Sequence, residues 1–237
     1  MHFLADLLIL AILGFCIWQG LKRGILGSIL AVVFILVAIY GGNIAANNYS
    51  DEFTTMFRPF VSGYLDRVEG EVIEEVVPAN MVHFSTEDLL RLDPALEPVI
   101  ISGVFLELGV HEERLDKFVD RYEIERDEGL RVNQALTNVL VYALCFLMIF
   151  VIGFLLILIA LTVIYNIIPF SFRIPRIKLI DMIGGSIIGG AQGLLLVFML
   201  TWLLGYLGFI LPEGLLENTF ITEFFVRANP MINYIDL

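Results

Sequence analysis

The chain has 237 residues, of which 58% are apolar and 17% charged, with a net charge of −12 and a mean hydropathy of +0.85. Soluble domains run near ~45–50% apolar and ~25% charged, so a water-soluble globule is excluded and an integral membrane protein remains. The acidity is local. Residues 43–136 hold eight Lys/Arg against twenty Asp/Glu, whereas the rest of the chain balances six against six; such a segment repels phosphate backbones, which excludes nucleic acid as a partner.

In chain order, the first charge-free stretch is 7–21, and its helix is expected to begin at Phe3 with Asp6 at the outer lip. The connector 19–24 (QGLKRG) carries Lys22 and Arg23. Because these cations follow the apolar run and no A-x-A site precedes residue 43, the segment reads as a retained span, not a signal peptide. The second stretch, 24–50, fits one span, since about 20 helical residues cross the hydrocarbon layer. Residues 1–42 then form transmembrane hairpin 1.

Residues 43–136 form an acidic helical extracytoplasmic cap. Phe53, Met56, Phe57, Phe60, Val61, Tyr64, Leu65, Val68, Val72, Ile73 and Val76 recur at steps of three and four, predicting one buried stripe, with Glu69, Glu71, Glu74 and Glu75 on a solvated face. Ser85 with Asp88 resembles a capping box, Pro94 and Pro98 interrupt, and 100–126 reads as helix again.

The third stretch, 132–172, lacks any internal turn signal over 139–165 and predicts one long helix, roughly 130–168, ended by Pro169. Asn133, Gln134, Thr137 and Asn138 are expected at headgroup level. The basic connector 169–181 holds Arg173, Arg176 and Lys178, and 182–212 supplies the fourth span, making 137–212 hairpin 2. Short basic loops stay cytoplasmic, so both termini and the cap face outward. The tail 213–237 predicts an amphipathic helix lying in the outer interface.

Gly185, Gly189 and Gly193 recur every four residues, with Ser186 and Gly190 in a neighbouring row, and Gly20, Gly24 and Ser28 repeat the spacing at the start of the second span. Membrane helices gain no hydrophobic drive from touching, so side-chain-poor faces that admit close packing hold them together. The rows fit packing within one protomer, packing between protomers, or a conduction path. Asp6 and Asp181 are structural or relay carboxylates, and capping of the fourth helix by Asp181 is the favoured role. Cys16 and Cys145 read as buried small hydrophobes. No HExxH, GxSxG or P-loop pattern occurs, and His2, His83 and His111 stand near no nucleophile, so no enzyme chemistry, metal or cofactor is expected.

Asp6, the G-L-K-R-G turn (Gly20 to Gly24) and D-x-x-x-G-x-x-x-G-x-x-x-G (Asp181, Gly185, Gly189, Gly193) together resemble the colicin V production protein (CvpA) family, over residues 1–45 and 137–210. The family often has Arg where Met182 and Gln192 stand, and its compact members have a much shorter middle segment. The resemblance implies a four-helix bacterial inner-membrane protein linked to production or export of a peptide toxin and to envelope robustness. The expectation is therefore an all-α protein with four transmembrane helices and a helical extracytoplasmic insertion, acting as a non-enzymatic scaffold or accessory factor. Its partners are the lipid bilayer, a second copy of itself and a secretion or envelope protein. The alternative is a small membrane transporter or channel.

Overall fold

The computed structural model describes residues 3–78, 81, 83–110, 112–167, 178–206, 224–225 and 228–233. Among them lie α1 (Phe3–Val76), α2 (Thr86–Leu92), α3 (Glu97–Glu107), α4 (Glu112–Asp127), α5 (Val132–Ile167) and α6 (Lys178–Tyr206), with short 3₁₀ turns at Pro94–Leu96 and Pro230–Asn233 and no strand. Three helices are long and apolar enough to cross a membrane, over Asp6–Val76, Val132–Ile167 and Leu179–Leu203. The chain divides into two compact units, one built on 1–47 and 148–204, the other on 48–147.

In the first unit, α1 is broken once, at Gly24, whose φ of 74° and ψ of −176° are not helical. The contacts on either side show what the break does. Before it, Ile9 clusters with Val197, the Cys16 carbonyl lies at Gly189 and Gly20 lies at Gly185, so 3–23 runs antiparallel to α6. After it, Phe34 meets Tyr165, Gly41 faces Ile157 and Gly42 faces Phe154, so 25–47 runs antiparallel to α5. The Phe150 and Trp202 rings stand 5.1 Å apart, tying the start of the α5 portion to the end of α6. The two parts of α1 therefore run in opposite directions.

α5 is one uninterrupted helix of 36 residues, close to the 130–168 read from the lack of a turn signal. Its long apolar run can satisfy its backbone only internally when no water is at hand, which a helix does. Of the tail, 213–223 lies outside the described residues. Phe225 is buried against Phe198, and Asn229 Nδ2 donates to the Phe198 carbonyl at 2.8 Å and to Thr201 Oγ1 at 3.1 Å. This described part is seated on α6.

In the second unit, α1 runs unbroken through 48–76, with Pro59 inside it. Leu65, Val68 and Val72 are buried, as are Ile100, Val104 and Phe105 of α3. The stripe predicted over 53–76 is two rows. The row Leu65, Val68, Val72 faces the core, while Phe53, Met56 and Phe60 on the adjacent row are 45%, 65% and 77% exposed. Ser85 caps α2, its Oγ accepting from the Asp88 amide and donating to the Asp88 carboxylate at 2.7 Å, as the S-T-E-D pattern predicts.

Candidate functional site

The glycine rows meet each other. A Cβ on Gly20 would overlap the Gly185 carbonyl oxygen and stand 3.0 Å from the Gly189 Cα. One on Gly185 would stand 2.8 Å from the Gly24 carbonyl carbon, and one on Gly189 would stand 2.5 Å from the Cys16 carbonyl oxygen. Two backbones thus touch over about two turns. Dispersion and weak Cα–H···O contacts at this range replace the hydrophobic drive that lipid removes. Gly193 is less confined, since a Cβ there would first meet a side-chain atom, Leu13 Cδ2, at 3.1 Å.

Gly20 thus belongs to the part of α1 before the break, not to the part after it, and the row it faces lies in the same chain. The neighbouring row is not part of the seam. Ser186 Oγ donates to the Ile183 carbonyl at 2.7 Å, and a Cβ on Gly190 would make an ordinary 3.7 Å contact with Ile17. Ser28 is fully buried in the second part of α1. A second close approach joins the other part of α1 to α5: a Cβ on Gly42 would stand 3.1 Å from the Phe150 carbonyl oxygen, and one on Gly153 would stand 3.3 Å from the Ala45 Cβ. The small residues at 41, 42, 45 and 46 were its signal.

Asp181 sits in the first turn of α6, yet its Oδ1 accepts from the backbone N–H of Ile25 at 2.9 Å. It therefore caps the helix that starts after Gly24 while standing in the first turn of its own. Asp6, in the first turn of α1, lies about 27 Å up the helix from Gly24; the two carboxylates do not form a pair. Lys22 stands 3.6 Å above the Trp18 ring, Arg23 is exposed beside the break, and Lys178 starts α6, so these cations share one end of the first unit. Arg173 and Arg176 lie outside the described residues. Cys16 and Cys145 are buried free thiols.

The second unit contains a site that the charge pattern alone hides. Glu69, expected on a solvated face, is 6% exposed. Thr86 Oγ1 donates to its Oε1, and Asn133 Nδ2 donates to its Oε2 at 3.1 Å and to Asp66 Oδ1 at 2.6 Å. One carboxylate thereby joins α1, α2 and α5. The signal was present: Glu69 falls four residues after Leu65 and four before Ile73, on the buried row. Asn133 and Thr137, expected at headgroup level, belong to this network, with Thr137 Oγ1 donating to Asn133 Oδ1 at 3.4 Å. Asn138 instead pairs with Glu125 at 2.7 Å and accepts from Arg58. The network floors a cleft of about 790 Å³, lined by Asp66, Glu69, Glu74, Glu87 and Asp88 against Arg91 and Arg131. Among the described residues no set of three His, Cys, Asp or Glu is placed to hold a metal ion.

Burial pushes the Glu69 carboxyl above its ordinary value of 4.5, aided by Asp66 and Glu87 and opposed by the Thr86 and Asn133 hydrogen bonds. A raised folded-state value means the folded chain holds the proton more tightly than the unfolded chain. Glu69 thus contributes stability in full below its ordinary value, and that contribution is lost as pH rises through the raised one. In thermal unfolding, Glu69→Gln is expected to be more stable than the unaltered chain at pH 7.5, with the gap narrowing as pH falls to the ordinary value of 4.5. A gap constant across that range would refute the assignment. Burial also raises the Tyr122 hydroxyl, which donates to Glu97 at 2.7 Å while Arg126 Nε holds the same oxygen at 3.2 Å.

No family model, curated protein or solved structure matches the chain.

Proposed function

We propose that the chain is a bacterial cytoplasmic-membrane protein with four crossings, 3–23, 25–47, the apolar part of α5, and α6. In this reading both termini and the acidic unit lie outside the cytoplasm, and the protein acts as a non-enzymatic scaffold or accessory factor. The resemblance to the CvpA family supports toxin production or export and envelope maintenance as the setting. Reversal of the chain at Gly24 supports the fourth crossing. Lys22, Arg23 and Lys178 at one end of the first unit support a cytoplasmic placement of that end. A large exposed apolar surface, including Leu8, Phe15, Val33, Leu156 and Ile187, suits a lipid surround.

The seam carries the choice of scaffold over conduit. Backbone meets backbone at Gly20–Gly185 and Gly189–Cys16, which supports a packing role for the glycine rows over a path lined by them. Purified protein in vesicles is accordingly expected to pass no ion selectively. Selective flux that disappears in Asp6→Asn would favour the transporter or channel instead.

Topology is tested by labelling with a membrane-impermeant maleimide. The native thiols at Cys16 and Cys145 are buried and should stay silent. Glu75→Cys is expected to label in intact cells and Lys22→Cys only after permeabilisation. Protection of residue 75 in intact cells would overturn the orientation.

A further inference from the structure

We infer that the groove between 25–47 and α5, beside Gly27, binds one anionic phospholipid, with the phosphate on Arg23 and an acyl chain along Leu30, Ala31 and Phe34. The inference rests on the four-crossing reading, which puts Arg23 at the membrane edge. Arg23, Gly27, Leu30, Ala31, Phe34, Thr162 and Tyr165 line the groove, which is a shallow one of about 30 Å³, so the lipid lies along its surface and is not enclosed by it. Gly27 opens it. A Cβ there would stand 2.9 Å from the Arg23 Cβ and 3.5 Å from the Tyr165 hydroxyl, so the missing side chain leaves the space between the Arg23 stem and the Tyr165 hydroxyl unfilled.

The chemistry is divided along the groove as it is along a lipid. At its mouth stand a guanidinium and a phenol. Arg23 is exposed, and no acid pairs with it among the described residues. A planar guanidinium presents donors matched to a phosphate, and a cation at a membrane edge attracts anionic lipid. Farther in, the surface is hydrocarbon: the Phe34 ring meets Tyr165 edge-on at 6.2 Å, and the Thr162 hydroxyl is turned to the Leu158 carbonyl at 2.7 Å. From Gly24 to Phe34 the helix rises about 15 Å, the depth of one leaflet. Lys22 is engaged over the Trp18 ring and serves as the control.

The test uses the full chain in a non-ionic detergent, titrated with phosphatidylglycerol or phosphatidylcholine of identical chains, with bound lipid counted by native mass spectrometry. The unaltered chain is expected to retain one phosphatidylglycerol with about fivefold preference. Arg23→Gln should erase that preference while keeping its unfolding temperature, and Lys22→Gln should keep it. Equal binding of the two lipids by the unaltered chain would overturn the inference, as would a preference that survives Arg23→Gln. Displacement of the lipid by millimolar inorganic phosphate would also overturn it, since the ligand would then be a soluble anion. The detergent assay is blind to orientation, so failure of the crossings would appear in the maleimide labelling and failure of the lipid site here.

Discussion

Replacing Gly185 by leucine is expected to abolish assembly of the first unit, and replacing it by alanine to lower its stability by about 1–3 kcal/mol or more. The reason lies in what stands opposite. A new Cβ meets the Gly20 carbonyl and the Gly24 backbone, and backbone cannot rotate away as a side chain can. The same argument applies to Gly20→Ala and Gly189→Ala. Gly190→Ala is the internal control, one turn away on α6, where the nearest atom is a flexible Ile17 carbon at 3.7 Å. Gly14→Ala is a second control, with nothing within 4 Å, and both should be neutral or stabilising because alanine favours helix over glycine by up to about 1 kcal/mol. Thermal unfolding in detergent at several protein concentrations reads the difference. If Gly185→Ala and Gly190→Ala unfold alike, the seam is not what holds the unit together. If the loss at Gly185 vanishes on dilution, the row joins copies and not helices of one chain.

The contrast between these two glycines also measures how far the sequence could be read. Spacing by four placed Gly185, Gly189 and Gly193 on one face, because helical geometry alone dictates that. It could not choose between that row and the one through Ser186 and Gly190, because both are poor in side chains and only the partner decides which is covered. The partner is itself visible as Gly20, but not the helix it belongs to: a connector and a single-residue reversal look alike in sequence when glycines flank Lys22 and Arg23 on both sides. Length was the more dependable guide for α5, where a long run without Pro or a turn cluster leaves a helix no place to stop. In the acidic unit the apolar positions of 53–76 merged two rows that differ by one residue in phase. The exposed Phe60 and the buried Glu69 are the two errors that followed, one the converse of the other. Charge is a weak sign of exposure when the residue sits four places from Leu65 and from Ile73 and two neutral donors wait for it.

The second large effect is expected at the reversal itself. Gly24 has φ 74° and ψ −176°, a region open essentially to glycine alone, where another residue costs about 1–3 kcal/mol. A Cβ there would also stand 2.7 Å from the Asp181 Cγ, pressing on the carboxylate that accepts the Ile25 N–H. Gly24→Ala should therefore combine backbone strain with loss of a helix cap, and its destabilisation should exceed that of Asp181→Ala, which forfeits the cap at about 1 kcal/mol. Asp181→Asn keeps an oxygen acceptor in place and should be milder than either. The double variant Gly24→Ala/Asp181→Ala separates the two causes. With the carboxylate gone the overlap is relieved while the strain remains, so the combined loss should fall short of the sum by about 0.5–3 kcal/mol. Unfolding temperatures of the four proteins in one detergent give that coupling directly. Strict additivity would mean that Asp181 does not govern the turn, and the reversal would then owe its stability to the glycine seam alone.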